Sequence, residues 1–321
     1  MKINPNIIAK KERECYARGM QKLLLIDGNA IFHRAFHALP LFKTSSGEYT
    51  NAVYGFLKMY FELVKREKPD FVAVAFDRAA PTFRHTEYKE YKATRAAPPE
   101  QLYPQLPRLK EALQILNVAT FELDGYEADD IIGTIAGRAE KLPETRTVIV
   151  TGDRDALQLV NEKTHVMVPI KGVSEVIDFT PEKVFEKTGL HPHQIIDYKA
   201  LKGDASDNIK GINGIGEKQA VELLQKFGSL EGIYGHLDEL TPAQRQKFES
   251  GKSDALFSKR LATIVCEVPI EIDLNACRFK KASYSPLSRL FAKLEFRGFL
   301  KNLKNEHELV ENEEDMQQSL F

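Results

Sequence analysis

The residues able to do chemistry in this chain are carboxylates, and they sit where a fold would gather them. The apolar run LLLI (23–26) is followed at once by Asp27, and FVAVAF (71–76) by Asp77. TVIVT (147–151) runs into Gly152, Asp153 and then Asp155. In an open α/β sheet, ligands bind beyond the carboxyl ends of the strands, so three such strands deliver their acids to one edge. Glu127, Asp129 and Asp130 open a helical segment (128–142), and Glu127 and Asp130, three apart, share a face. Asp204 and Asp207 lie three apart in the Gly-rich stretch GDASDNIKG. Acids favour a first helical turn, and Asp favours turns, so each group taken alone has a bland explanation. Together they do not, because so many carboxylates at one site cannot ionise without compensating charge. Either they are dispersed or they hold cations. Oxygen ligands without His or Cys favour Mg2+ or Mn2+ over Zn2+. The number of acids suggests two ions, roughly 4 Å apart, as in enzymes that cleave phosphodiesters. Haloacid-dehalogenase-type phosphatases also use strand-end Asp, but with a DxD nucleophile where this chain has Asp27-Gly28-Asn29.

The elements that must position these acids follow from patterning. Apolar runs at 23–26, 71–76, 118–123, 147–151 and 164–170 alternate with amphipathic stretches such as 52–67 and 128–142. This is the rhythm of a mainly parallel sheet covered by helices on both faces. Gly28 and Asn29 read as the turn that frees the first strand end. The segment 80–107 breaks the rhythm, being rich in Tyr, Lys, Arg and Pro and too long for an ordinary connection. Residues 180–270 read as short helices with Gly turns, and Leu287–Leu300 as a last amphipathic helix. Residues 1–19 look like an N-terminal extension, with Met20 an alternative start, and the acidic stretch from 305 like a disordered tail.

Composition excludes other classes. With 321 residues, 43% hydrophobic and 28% charged, the chain can build a core for one large domain and a smaller module. No apolar run is long enough to span a bilayer, and no secretory signal is visible. Cys15, Cys266 and Cys277 lack metal-type spacing and read as inert thiols. The net charge is −1, so nucleic-acid binding must rest on local basic patches. An intracellular protein, without membrane, is expected.

The motifs IDGNAIFHRAFHAL (26–39), FDRAAPTFRH (76–85), YKATR (91–95), GYEADDIIG (125–133), VTGDRDALQLV (150–160) and GDASDNIKGINGIGEKQA (203–220), in this order and spacing, resemble the 5′-nuclease family. That family comprises flap endonucleases, phage 5′-exonucleases and the 5′-nuclease domain of bacterial DNA polymerase I. The resemblance covers about 20–300. It implies a PIN-like α/β catalytic domain (20–196) with a helical arch at 80–107, and a helical DNA-binding subdomain of helix-hairpin-helix type (197–304). The family's metal ligands fall on Asp27, Asp77, Glu127, Asp129, Asp130, Asp153, Asp155, Asp204 and Asp207, all acidic here. In the family, two ions bind the scissile phosphate, activate water and stabilise the leaving 3′-oxygen, giving a 5′-phosphate and a 3′-hydroxyl. The segment 80–107 then corresponds to the arch that admits a single-stranded 5′ end. Arg84, Lys92 and Arg95 would meet phosphates, Lys92 in the position of a catalytic lysine and Arg84 beside it, while Tyr88 and Tyr91 would stack on bases. Arg34, in the first helix, is a further phosphate contact. At the hairpin, Gly214 and Gly216 let the backbone approach phosphate, with Lys199, Lys210 and Lys218 nearby, and relatives bind K+ at this turn.

The chain closes on QQSLF, which resembles the bacterial sliding-clamp binding peptide, with Gln317 as polar anchor and Leu320 and Phe321 as apolar plugs. These features point to a free-standing, monomeric, cytoplasmic and nucleoid-associated 5′-3′ exonuclease and 5′-flap endonuclease. It would act on DNA flaps, DNA ends and RNA–DNA hybrid during replication and repair. Two rivals remain at this stage: a PIN-type ribonuclease, which would lack the arch and the GINGIG element, and a catalytically silent junction-binding module, which would have lost an acidic ligand.

Overall fold

A computed structural model describes residues 19–171 and 175–305. The N-terminal extension with Cys15, and Gln317, Leu320 and Phe321, lie outside the described residues. Six strands form one sheet in the order β3-β2-β1-β4-β5-β6. They are β1 (Gln21–Asp27), β2 (Phe71–Ala75), β3 (Ala119–Phe121), β4 (Thr145–Val150), β5 (Thr164–Lys171) and β6 (Glu175–Phe179). The first five are mutually parallel, and β6 pairs antiparallel to β5. The chain builds outward from β1 to β2 and β3, then returns to add β4 on the other side of β1. That reversal makes the C-terminal end of β1 a topological switch point, the place where an α/β sheet opens a crevice.

Alternation along the buried strands divides the core. Leu23, Leu25, Ala73, Ala75 and Ile149 face one cluster. Leu24, Ile26, Val72, Val74, Val148 and Val150 face the other. The second cluster is covered by α1 (Gly28–Ala38), α2 (Asn51–Glu67), α4 (Leu106–Ile115) and α12 (Tyr284–Lys293). The first is covered by α5 (Ala128–Glu140) and by α6 (Pro181–Thr188), α7 (Ile195–Lys202), α8 (Glu217–Phe227), α9 (Leu230–Gly235), α10 (Pro242–Ser250) and α11 (Lys252–Ala262). The helical C-terminal part is therefore continuous with the sheet's own core. It sits close enough for its loops to reach the strand ends.

Four local expectations change. The first strand has no turn after it: Gly28 already begins α1, and Asp27 is that helix's N-cap. Gly28 is required by close approach, since a Cβ there would meet the Phe76 ring at 2.4 Å and the Ala75 carbonyl at 2.7 Å. Strand β6 carries no clear apolar alternation and was not expected. The helix read as Leu287–Leu300 breaks after Lys293, where Glu295 adopts φ 59. A second helical stretch then runs from 297 to 305. Between 80 and the start of α4 at Leu106 only α3 (Phe83–Glu87) is α-helical, followed by turns and a short 3-10 helix at Tyr103–Gln105. This segment is not an open helical arch. It folds down onto the acidic edge. Cys277 is buried, and burial raises its thiol pKa, as expected of an unreactive thiol, whereas Cys266 is exposed.

Candidate active site

Asp27 closes β1 and is buried. Its Oδ1 accepts the Ala30 N–H at 2.9 Å, and its Oδ2 accepts the Thr151 hydroxyl at 2.7 Å. The same Thr151 oxygen accepts the Asp153 N–H at 3.0 Å, and Asp153 Oδ1 accepts the Asp155 N–H at 2.8 Å. One relay thus fixes the acids after β1 and β4. Asp77, after β2, is held by two neighbours: its N–H donates to Asn29 Oδ1 at 3.1 Å, and its Oδ1 accepts the Ala128 N–H at 2.7 Å. Asp77 therefore caps α5, whose first turn carries Asp129 and Asp130 after the N-cap Glu127.

The price of this convergence is electrostatic. Burial, with Asp77 and Asp153 nearby, pushes the Asp27 carboxyl up to about 7, against the hydrogen bonds from Ala30 and Thr151. Burial, together with Asp27, Asp153 and Asp77, raises Asp129 well above the ordinary carboxylate range. Asp155 is pushed up to about 7 by burial and Asp153, although Lys199 opposes the shift. A protein keeps such strained acids where a cation relieves them.

A second group faces these across the site. Carboxylate oxygens of Asp155, Asp204 and Asp207 all lie within 4.8 Å of one another. Asp204 and Asp207 come from the tight loop after α7, which the Asp204–Ile209 backbone pair closes at 2.7 and 2.8 Å. Gly203 (φ 81) and Gly211 (φ 65) cross here so closely that a Cβ on Gly211 would meet the Gly203 nitrogen at 2.2 Å. Gly211→Ala is thus expected to cost about 2 kcal/mol or more, in a urea titration, through strain and overlap. Gly216→Ala, with open space and φ −89, should leave stability within about 1 kcal/mol.

The basic residues are already engaged. Lys92 donates to Glu127 at 2.9 Å and lies over the Tyr91 ring. Arg95 reaches Asp207 at 2.5 Å. Lys199 bridges Asp155 and Asp204, the latter at 2.5 Å, and this holds Asp204 down to about 2 despite its burial. Lys199 is therefore a counter-ion of the carboxylates, not a free duplex contact. Tyr91 is 4% exposed, its hydroxyl at 3.3 Å from Glu127 and 3.2 Å from Asp207, so it does not present a face to a base. Tyr88 is half-buried against Phe257. Arg34 donates to the Ile170 carbonyl. Lys210 and Lys218 are exposed, as are Gly214 and Gly216, Gly214 accepting from Lys247 at 2.8 Å.

Two expected roles change. Asp130 is fully buried and both its oxygens are taken: Oδ1 by Arg84 and the Val265 N–H at 2.8 and 2.9 Å, Oδ2 by Arg84 and the Glu127 N–H at 2.7 and 3.0 Å. No oxygen is left for a direct metal bond. Arg84, 3% exposed, also donates to the carbonyls of Leu261 (2.9 Å) and Thr263 (2.7 Å), so it ties α3 to α5 and to the C-terminal end of α11 instead of meeting phosphate. Residues that sequence reasoning passed over include Thr151, which is fully buried; its place at the end of the apolar run TVIVT, just before Gly152 and Asp153, was the available signal. His33 and Tyr103 are others, 3.2 Å apart and near enough to Asp77 for its charge to act on both. The donor set around Asp27, Asp129, Asp155, Asp204 and Asp207 is oxygen only, which suits a hard divalent cation.

The 5′-3′ exonuclease N-terminal resolvase-like domain matches residues 22–189, and the 5′-3′ exonuclease C-terminal SAM fold matches residues 190–285. The chain belongs to the 5′-3′ exonuclease family. The two matches abut between the sheet and the helical part. DNA polymerase I of Caldicellulosiruptor bescii is 44% identical over 284 residues, which cover 88% of this chain and 33% of that protein. DNA polymerase I of Bacillus subtilis is 41% identical, over 92% of this chain and 34% of that protein. The chain thus spans about a third of the length of these relatives. Among solved structures, bacteriophage T5 5′-exonuclease with bound zinc superposes with a TM-score of 0.63 at 20% identity, over 89% of this chain and 99% of that one. That likeness extends the fold assignment to the helical subdomain. That neighbouring structure holds divalent metal ions, and the oxygen-only cluster here suits a hard divalent cation.

Proposed function

We propose that the chain is a structure-specific 5′-nuclease, with 5′-3′ exonuclease and 5′-flap endonuclease activity on DNA ends, flaps and RNA–DNA hybrid. The observation that carries this reading is the convergence of carboxylates from three strand ends, the α5 N-terminus and the Asp204–Asp207 loop beside a basic segment. Asp27, Glu127, Asp129 and Asp77 would hold one Mg2+ (or Mn2+), and Asp153, Asp155, Asp204 and Asp207 a second, with Asp130 supporting through Glu127. Bound there, the ions would supply charge neutralisation at the scissile phosphate and acidify water. The chain's own residues do the rest. Lys92 and Arg95, paired with Glu127 and Asp207, stand where they can exchange a carboxylate for a phosphate oxygen. Gly214, Gly216 and the α8 N-terminus, flanked by Lys210 and Lys218, would seat duplex phosphates without reading sequence, with K+ as an additional ligand of the turn. Division into a catalytic part (20–196) and a DNA-binding part (197–304), a monomeric state, a cytoplasmic nucleoid location and capture of a sliding clamp by Gln317, Leu320 and Phe321 belong to the same reading. Among the described residues no helix is long and apolar enough to cross a membrane.

The test is cleavage of a 5′-flap duplex against the same duplex with its 5′ end closed in a hairpin. Cleavage of both at one rate would overturn the requirement for a free 5′ end. Lys92→Ala is expected to slow flap cleavage by about 10²-fold, as loss of one phosphate-directed donor does. Its melting temperature should fall as well, because buried Glu127 loses its ion pair.

A further inference from the structure

At the acidic edge the cations have carboxylate partners: Arg84, Lys92, Arg95 and Lys199 are all paired. One basic group elsewhere is not. A groove of about 630 Å³ lies between α12 and the helical stretch 297–305. Arg289 of α12 lines one wall, and Arg297, Lys301 and Lys304 line the other. All four are exposed, and among the described residues none has a carboxylate within ion-pair reach; Arg289 donates to the Ser285 hydroxyl at 3.1 Å. In a chain of net charge −1, this is a local excess of positive charge. Tyr284 and Ser288 add hydroxyls, so every polar side chain of the lining can donate a hydrogen bond. The apolar lining is confined to Ala292 and half-buried Leu300, too little for a lipid surface or an amphipathic partner helix.

The groove's place in the fold narrows the anion. Lys22, at the start of β1, pairs with Glu67 at the end of α2, so α2 begins at the end of the sheet where the aspartates lie. Phe296 and Phe299 pack around Tyr54, near the start of α2. Glu295 accepts the Ser45 N–H, from the connection before α2, at 2.8 Å. Arg297 therefore stands toward the acidic edge, and the groove follows α12 away from it. From Ala292 back to Tyr284 a helix spans roughly 12 Å, the axial length of about three phosphates of one duplex strand. The hairpin lies on the other face. Ala220, Leu223 and Leu224 of α8 join the core cluster on one side of the sheet, and Leu287, Leu290 and Phe291 of α12 join the cluster on the opposite side. The acidic edge borders both faces. A duplex arm seated at Gly214 and Gly216 leaves the arm across the junction to run along the face that carries the groove. Guanidinium forks and ammonium groups set along such a face suit phosphate oxygens, and they position DNA without reading sequence.

We infer that the Arg289–Arg297–Lys301–Lys304 groove seats phosphates of that second duplex arm, so that a branched substrate is held on both sides of the acidic edge. The inference rests on the 5′-nuclease reading and adds a contact surface that neither the carboxylates nor the hairpin supplies.

The experiment measures binding of the full chain to a two-armed 5′-flap junction in EDTA, across a salt series. Arg297→Gln with Lys301→Gln should weaken binding about 10-fold at low salt and make the salt dependence shallower by about two phosphate contacts. The Tm of this variant should match the parent's, because no carboxylate is left stranded. Lys210→Gln with Lys218→Gln gives the comparison at the hairpin. Junctions with methylphosphonates in one arm at a time then assign the arms. Neutralising the arm in the groove should weaken the parent but leave the groove variant's affinity unaltered. Neutralising the other arm should weaken the groove variant and leave the hairpin variant unaltered. A groove variant that binds the junction as the parent does overturns the inference. So does a groove variant that loses further affinity equally with either arm neutralised. Unchanged junction affinity with lost affinity for poly-glutamate would give the groove to an acidic peptide, and overturns it too. Failure of the nuclease reading shows differently, as a parent chain that leaves the junction uncleaved in Mg2+, and it removes the ground of this inference as well.

Discussion

Asp27→Asn is expected to abolish cleavage, by on the order of 10³-fold or more, while stabilising the metal-free fold above neutral pH. The substitution keeps the shape: Oδ1 still accepts from Ala30, and the new amide can donate to the Thr151 oxygen that Asp27 now accepts from. What it removes is a charge that burial and Asp77 and Asp153 disfavour, with the folded pKa near 7. The ordinary value is 3.8. A carboxyl whose folded pKa is raised takes up a proton on folding. Metal-free stability should therefore fall as pH rises from about 4 to about 7, then level off. Asp155, also near 7, and Asp129, raised as well, add to the same slope. Asn at 27 should flatten it, in urea titrations run across that range in EDTA. A divalent cation should do so too, because it favours the ionised carboxylates. If Asp27→Asn destabilises the metal-free chain at pH 8, the carboxylate is a structural cap and not a strained ligand.

Arg84→Ala should give the largest loss of stability. It strands the fully buried Asp130 carboxylate and orphans the carbonyls of Leu261 and Thr263. Breaking one side of a buried pair costs about 3–5 kcal/mol, which in a chain this long lowers Tm by about 5–8 °C. Arg84→Lys should recover only part, since an ammonium cannot reproduce the two-pronged contact. The double change with Asp130→Asn should lose clearly less than the sum of the singles, by about 1–3 kcal/mol in thermal or urea unfolding. Were Arg84 a phosphate contact, Arg84→Ala would weaken DNA binding and leave Tm unchanged.

Why some of this was legible and some was not follows from distance along the chain. Strands β1, β2 and β4 are buried on both faces, so they read as unbroken apolar runs, and the acids that end them fall at one edge by topology alone. Strand β6 is an antiparallel edge strand with three half-buried residues, and its sequence EVID carries no such signature. The break at Glu295 is a backbone choice stabilised by packing of Phe296 and Phe299 around Tyr54. Spacing cannot announce it. Asp130 matched the ligand pattern as well as Asp129 did. Only the arrival of Arg84, 46 positions away, and Val265, 135 away, shows that its oxygens are spoken for. Tyr91 looked like a solvent-facing aromatic because its sequence neighbours are polar, yet Glu127 and Asp207, 36 and 116 positions away, accept from its hydroxyl and enclose it.

The metal role of the converging carboxylates is tested most directly by single-turnover cleavage of an internally labelled 5′-flap duplex in Mg2+ and in EDTA, with the new ends read by ligation. Cleavage confined to Mg2+, leaving 5′-phosphate and 3′-hydroxyl ends that ligate, is the predicted result. Cleavage at the same rate in EDTA, or ends that carry a 3′-phosphate, would contradict it.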